Sequence, residues 1–312
     1  MFKSFACTLA VSATALAAPM GTAAYADLLV YDGFAAGGET PGAGQYQSQP
    51  DSPNGTNNDS LIGQGPDALG FDSVDNWAGD VDDGDQVAGS VYPRINDAGL
   101  TWSDNSGHSL VTTAGALEIF RDGTGSSATI KGYDRNTDGT DAADLNGVMW
   151  ASVLFQFTDG HPGAEVQLYQ DSINRHHAFG FEGGNIIGGS EESGSMNTGA
   201  ETFAAGQTHL MIVRLDDNAD PDQRIMDIWV NPEDVTNLGT PNETFETLSW
   251  TSGFDISRIG LVGDTDGPNP SVIFDEFRFG TTSESVTPVP EPASIVLAGL
   301  GGLTLLGGRR RR

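Results

Sequence analysis

Short apolar runs separated by polar, glycine-rich intervals recur along residues 28–280. Within the runs, β-branched and aromatic residues alternate with polar ones at the two-residue period of a pleated strand. The pattern predicts strands at Leu28–Phe34, Gly115–Arg121, Ala128–Tyr133, Gly147–Phe157, Ala164–Gln170 and His177–Glu182. Further strands are predicted at Asn185–Gly188, Thr208–Leu215, Arg224–Val230, Ser257–Val262 and Ser271–Phe279. Gly147–Phe157 (GVMWASVLFQF) is the longest apolar run and reads as a central strand. The intervals collect Gly, Asn and Asp, the residues of tight turns. No fixed-period repeat and no long amphipathic helix breaks the series. Spacing of this kind predicts one all-β domain, an antiparallel sandwich, over residues 27–280. Residues 38–70, rich in Gly, Pro, Asn, Gln and Ser, predict a long surface loop.

The last strand illustrates the expected faces. Strict alternation in Val272–Phe279 puts Ile273, Asp275, Phe277 and Phe279 on one side. Val272, Phe274, Glu276 and Arg278 take the other, where Glu276 and Arg278 can pair. The first set is expected to point inward, which makes Asp275 an embedded acid in need of partners.

Both ends carry patterns of another kind. Residues 1–26 hold Lys3, the apolar run Phe5–Ala18 and the small-x-small stretch Ala24-Tyr25-Ala26, which predicts a secretory signal peptide cleaved after Ala26. The only cysteine, Cys7, lies inside it, so the exported chain has no disulfide. Residues 281–288 read as a linker. Val289-Pro290-Glu291-Pro292 follows, a stiff break, then the uncharged run Ala293–Gly308, then Arg309, Arg310, Arg311 and Arg312. Sixteen apolar residues fall just short of the roughly 17 needed to span a bilayer core, and snorkelling arginines extend them. The arginines are expected to stay cytoplasmic.

This tail resembles the PEP-CTERM sorting signal of Gram-negative bacteria, with its Pro-Glu-Pro motif, short apolar helix and basic end. The resemblance implies processing by an exosortase and transient inner-membrane anchoring through residues 293–308. Together with the signal peptide, which predicts export by the general secretory route, it implies delivery to the cell surface or extracellular matrix.

A second resemblance lies in the domain itself. Leu29-Val30-Tyr31-Asp32-Gly33-Phe34 is similar to the opening strand of concanavalin A-like, laminin-G-like domains, and Phe274-Asp275-Glu276-Phe277-Arg278-Phe279-Gly280 to their closing strand. Met211–Asp216 and Asp227–Pro232 fit their central hairpin. The resemblance implies a jelly-roll sandwich, a fold often used to hold glycans without catalysis.

Charge narrows the partners. Residues 27–288 hold 42 of the 43 acids and 9 of the 14 Lys and Arg, a net charge near −33. Such a field repels nucleic acid and anionic lipid and favours divalent cations. Asp216, Asn218, Asp220 and Asp222 alternate in one predicted hairpin loop and suit calcium, although Asp/Asn runs also serve as plain turns. Asp134–Gly139 opens like an EF-hand loop, but its twelfth position is Leu145, which cannot ligate. Asp80–Asp85 is a third acidic cluster.

Catalytic patterns are sparse. Laminarinase-type hydrolases of the same fold carry three acids on one strand, and no strand here has that spacing. His176-His177 point to opposite faces of a strand, and His108, His161 and His209 lack His-x-x-x-His spacing, so zinc is not expected. Trp150 and Trp229 sit in apolar runs and read as core. Trp77 and Trp102 sit among polar residues and are the candidates for stacking on a sugar. The expected function is a non-catalytic surface or matrix protein that binds exopolysaccharide. The alternatives are a glycan-active enzyme on the same fold and a purely structural matrix component.

Overall fold

The computed structural model describes residues 28–37, 45, 69, 78–79, 91–110, 112–121, 130–136, 147–158, 163–169, 175–190, 195–199, 203–216, 224–246, 256–264 and 271–287. Residues 1–26 with Ala24 and Ala26, nearly all of 38–70, Trp77, the Asp80–Asp85 cluster, and 289–312 lie outside them. In chain order the strands are β1 (Leu28–Asp32), β2 (Ala78–Gly79), β3 (Val91–Asn96), β4 (Ala116–Arg121), β5 (Ile130–Asn136), β6 (Val148–Phe157), β7 (Gly163–Tyr169) and β8 (Arg175–Glu182). They continue with β9 (Asn185–Ser190), β10 (Ser195–Thr198), β11 (His209–Asp216), β12 (Ile225–Val230), β13 (Glu243–Glu246), β14 (Arg258–Asp264) and β15 (Ser271–Gly280). One helical turn, α1 (Ser283–Val286), follows.

The strands form the antiparallel sandwich that the spacing predicts, of the jelly-roll kind that the resemblance implies. The first sheet has the order β13-β12-β11-β6-β15-β4-β3, with β1 also on β15, and the second has β10-β9-β8-β7-β14-β5-β2. β6 shows why the sheets close on each other. Its alternation sends Met149, Ala151, Val153, Phe155 and Phe157 into the core. There they meet Val166, Leu168, Phe179, Phe181, Ile259 and Leu261 of the second sheet. Phe155 stacks on Phe181 with ring centroids 4.6 Å apart. Truncating such a ring costs about 3–5 kcal/mol.

The first sheet is covered on its outer side too. Leu154, Leu210, Ile212 and Trp229 meet Leu100 and Leu110 from one loop, Val235 from another, and Val286 of α1. Trp150 and Trp229 therefore pack in an outer layer, stacked at 5.6 Å, and not between the sheets. Thr282 caps α1 through Ser285 N–H, and Ser152 donates its hydroxyl to the Val286 carbonyl at 2.5 Å.

Four strands escaped the sequence pattern: β2, β3, β10 and β13. All four lie at sheet edges. An edge strand needs little apolar alternation, and β13 buries only Phe245 of its four residues. β3 contains Pro93, which a central strand could not hold without losing a ladder bond.

Strict alternation also fails inside β15. Its register with β6 shifts between Asp275 and Arg278, a β-bulge, and Glu276 takes a left-handed φ of 54°. The extra residue reverses the parity of everything after it. Val272 and Phe274 before the bulge and Phe277 and Phe279 after it all enter the core, while Ile273 packs in the outer layer. The expected common face of Ile273, Asp275, Phe277 and Phe279 is thus corrected. The expected Glu276–Arg278 pair forms at 2.5 Å and is fully buried.

Glu276 is held in this conformation by its partners. It accepts from Arg278, from the Tyr31 hydroxyl at 3.0 Å and from Thr113 N–H. Arg278 also lies over the Tyr31 ring, 5.2 Å from its centroid. Burial, with the Glu276 charge second, pushes the Tyr31 phenol up and keeps it a donor. Glu276→Ala strips the buried Arg278 of its carboxylate and should cost about 3–5 kcal/mol. Glu276→Gly should recover roughly 1 kcal/mol of that, because glycine removes the left-handed penalty. Urea unfolding of the three chains measures both differences, and a loss under about 1 kcal/mol for either variant would exclude the pair as the source of the bulge's stability.

Candidate functional site

The bulge fixes a loop. Asp275 Oδ2 accepts from Leu100 N–H at 2.7 Å, and Glu276 accepts from Thr113 N–H, so adjacent acids clamp residues near both ends of the 97–113 segment. Thr113 adds a hydroxyl bond to the Gly33 carbonyl at 2.6 Å. The fit is close at Gly99, where any Cβ would lie 2.3 Å from the Thr113 carbonyl oxygen. Burial first, and the Glu276 charge second, push Asp275 up to about 9, while Leu100 N–H, Glu276 N–H and Arg278 pull it down.

Between its clamps the segment folds back on itself through a Ser103–Ser109 bridge. Asp104 N–H donates to the His108 carbonyl at 2.9 Å, and Gly107, at φ 88°, completes the turn. The tip leans on the 231–242 loop. Trp102 Nε1 donates to Asn231 Oδ1 at 3.0 Å, Ser106 Oγ to the Glu233 carbonyl at 3.4 Å, and Val235 N–H to Asp104 Oδ2 at 3.0 Å. The second loop borders an open cleft of about 420 Å³, lined by Trp229, Asn231, Glu233, Asp234, Asn237 and Thr240 among others. The lining offers amides, acids and a hydroxyl as polar groups, while its one indole, Trp229, is buried against Trp150.

Asn231 is the hinge of this region. It sits at φ 47°, a conformation asparagine tolerates better than most residues. Its Oδ1 accepts from Trp102 and from Leu210 N–H at 3.0 Å. Its Nδ2 faces His209 Nδ1 at 2.8 Å, and His209 Nε2 lies 2.9 Å from the Ala204 carbonyl. The carbonyl can only accept, so Nε2 carries the proton and Nδ1 accepts from Asn231. His209 is therefore neutral. Burial holds its pKa below the usual histidine value, against the opposing pull of the Ala204 carbonyl.

Three further side chains meet where the two loops touch. His108 Nδ1 lies 2.8 Å from Asp104 Oδ2 and 3.5 Å from Asp234 Oδ1. Asp104 is buried, and Asp234 is tied by the N–H and hydroxyl of Thr236 at 2.8 and 2.6 Å. Among the described residues this is the one group of His and acids at metal-ligand spacing.

The residues expected from sequence fare unequally. Trp102 stands in this region, half-buried, while Trp77 lies outside the described residues. Asp216 of the expected calcium loop pairs with Arg214 at 2.6 Å, and Arg214 also binds Asp227 at 3.0 Å. Asn218, Asp220 and Asp222 lie outside the described residues. Asn231, Asp104, His108 and Asp234 were not foreseen as a group. The Asp104-x-x-x-His108 spacing was visible, but a search for paired histidines passes over it.

At the other end of the chain, residues 288–312 match the family described as the PEP-CTERM protein-sorting motif. The chain ends in a PEP-CTERM sorting motif. This motif marks a protein for export and sorting to the cell surface or extracellular space of Gram-negative bacteria. Its residues include Val289, Pro290, Glu291, Pro292 and the four arginines. Among the described residues no helix is long and apolar enough to cross a membrane, and 293–308 lie outside them.

No curated protein matches the chain. Solved structures overlap it in part. A botulinum neurotoxin type C structure, described as interacting with two ganglioside molecules, is 9% identical over 67% of this chain and 47% of its own, with a TM-score of 0.38. The binding domain of botulinum neurotoxin serotype C1 is 10% identical over 67% and 48%, at 0.38. The cellulose induced protein Cip1 is 10% identical over 60% and 90%, at 0.37. The chain spans about half the length of the toxin structures, and its fold assignment rests on its own sheet topology.

The neutral His209 gives a pH signature. Its folded pKa is depressed, so its contribution is complete above about pH 6.5, the unfolded value, and is lost as pH falls through the folded value. Relative to wild type, His209→Gln should gain stability below pH 6.5 by up to about 1.4 kcal/mol per pH unit, since glutamine does not titrate. Urea unfolding at pH 7.5 and pH 5 checks this. A stability gap that does not change with pH would contradict the neutral assignment.

Proposed function

We propose that this chain is an exosortase-processed surface or extracellular protein that binds carbohydrate and catalyses nothing. The carbohydrate best suited is exopolysaccharide of the surrounding matrix. The single observation that carries the sorting half is the match of residues 288–312 to the PEP-CTERM motif. An inner-membrane intermediate held by residues 293–308 is part of this reading, as is export directed by residues 1–26. The binding half is supported by the polar cleft at the 231–242 loop and by Trp102, held beside it through Asn231. A field near −33 fits neutral or cation-bridged polysaccharide better than nucleic acid or anionic lipid.

Sorting is tested in cells. A chain with Ala at Pro290, Glu291 and Pro292 should remain uncut and stay with the inner-membrane fraction, read by immunoblot of fractionated cells. Normal delivery to the surface would refute the route. Binding is tested on a glycan array with the exported protein, followed by titration of the best hit. Trp102→Ala should weaken that hit by about 2 kcal/mol, roughly thirtyfold in Kd, as removal of a buried aromatic anchor does. Unchanged affinity in Trp102→Ala would move the site elsewhere, and a silent array would favour a purely structural matrix role.

A further inference from the structure

The geometry points to a divalent transition-metal site formed by Asp104, His108 and Asp234, which fastens the 97–113 loop to the 231–242 loop and suits zinc. It does not depend on carbohydrate binding.

The first support is distance. Zinc binds imidazole nitrogen and carboxylate oxygen at about 2.0–2.2 Å, which sets neighbouring ligand atoms of a tetrahedron about 3.3–3.5 Å apart. His108 Nδ1 lies 2.8 Å from Asp104 Oδ2 and 3.5 Å from Asp234 Oδ1, values that bracket this spacing closely. One ligand atom from each of the three lies within 4.8 Å of the other two. An ion between them needs shifts of about half an ångström at the nearer pair.

The second support is the way the ligands are held. Asp104 Oδ1 accepts from His108 N–H at 2.7 Å and Oδ2 from Val235 N–H at 3.0 Å, so two backbone donors fix the carboxylate plane. Metal-binding carboxylates are aimed by this kind of outer contact. The Thr236 N–H and hydroxyl, at 2.8 and 2.6 Å from Asp234 Oδ1, hold the second carboxylate in the same way.

The third support is the choice of donors and their exposure. One imidazole with two carboxylates favours zinc and similar transition ions over calcium, which takes oxygen alone. The side chains of His108 and Asp234 are 30% and 35% exposed, against 0% for Asp104, so the cluster opens to solvent on one side. Water or a ligand hydroxyl can complete the coordination there. The proton that His108 Nδ1 shares with Asp104 moves to Nε2 of the neutral ring when an ion enters, or leaves from the imidazolium. The negative field of the domain concentrates cations near the site.

The test uses the untagged full chain, stripped with chelator, and two probes. Zinc affinity is measured by calorimetry, and cobalt(II) by its visible absorption, which reports nitrogen and oxygen ligands directly. The expected result is one zinc per chain and a cobalt spectrum, with affinity falling at least tenfold in Asp234→Asn and in His108→Gln. Asp234 is partly exposed, so its variant should fold, and matching metal-free melting curves verify that. Equal zinc binding by wild type and both variants would place the ion elsewhere and overturn the proposal. No zinc binding with no cobalt spectrum would also overturn it, as would calcium binding in preference to zinc.

Discussion

Two neighbouring carboxylates at a β-bulge hold this structure in its particular form. Asp275 and Glu276 sit where β15 gains a residue, and each reaches across to one end of the 97–113 segment. Without the bulge, one half of β15 would turn its phenylalanines to the wrong side. Without the two backbone bonds, the segment bearing Trp102, Asp104 and His108 would have no fixed base. The cost is real: a non-glycine residue in the left-handed region, two charged groups out of water, and a third acid whose pKa burial raises to about 9. That cost is offset by one buried ion pair, a phenol and backbone donors gathered at a single point.

The region above that base is built in tiers. The outer face of the first sheet is apolar and needs cover, and the two loops and α1 supply it with leucine, valine and tryptophan side chains. Only then do polar groups appear, and they are tied in a chain. His209, inside the aromatic cluster of Phe155, Phe157 and Phe203, fixes the amide of Asn231, and Asn231 fixes the indole of Trp102. A core residue thus sets the pose of a surface residue more than 100 positions away in sequence. Few of these links join elements that are adjacent along the chain.

This arrangement explains what the sequence disclosed. Central strands such as Val148–Phe157 were legible because both of their faces are buried and their runs are long. The sorting tail was legible because its three parts are contiguous. The edge strands were not, since one side of each ladder is unpaired and the residues need not be apolar. The bulge was not, because a single added residue leaves no mark on composition; alternation read through it reverses without notice. The candidate site was only half visible. Trp102 stood out as an aromatic in polar company, but its partner Asn231 lies 129 residues away, and Asp234 joins Asp104 and His108 only after the two loops fold over the same sheet.

The edges themselves have a consequence for contact between copies. Among the described residues the first sheet ends in two rims, and a free rim invites a strand of another copy to add on. The rim strand β3 carries a proline in its middle, and the opposite rim, β13, is four residues long and bears Glu243 and Glu246. Neither offers a long, neutral ladder to a neighbour. Pairing of copies through these two rims is disfavoured, by the proline at one and by the short acidic strand at the other.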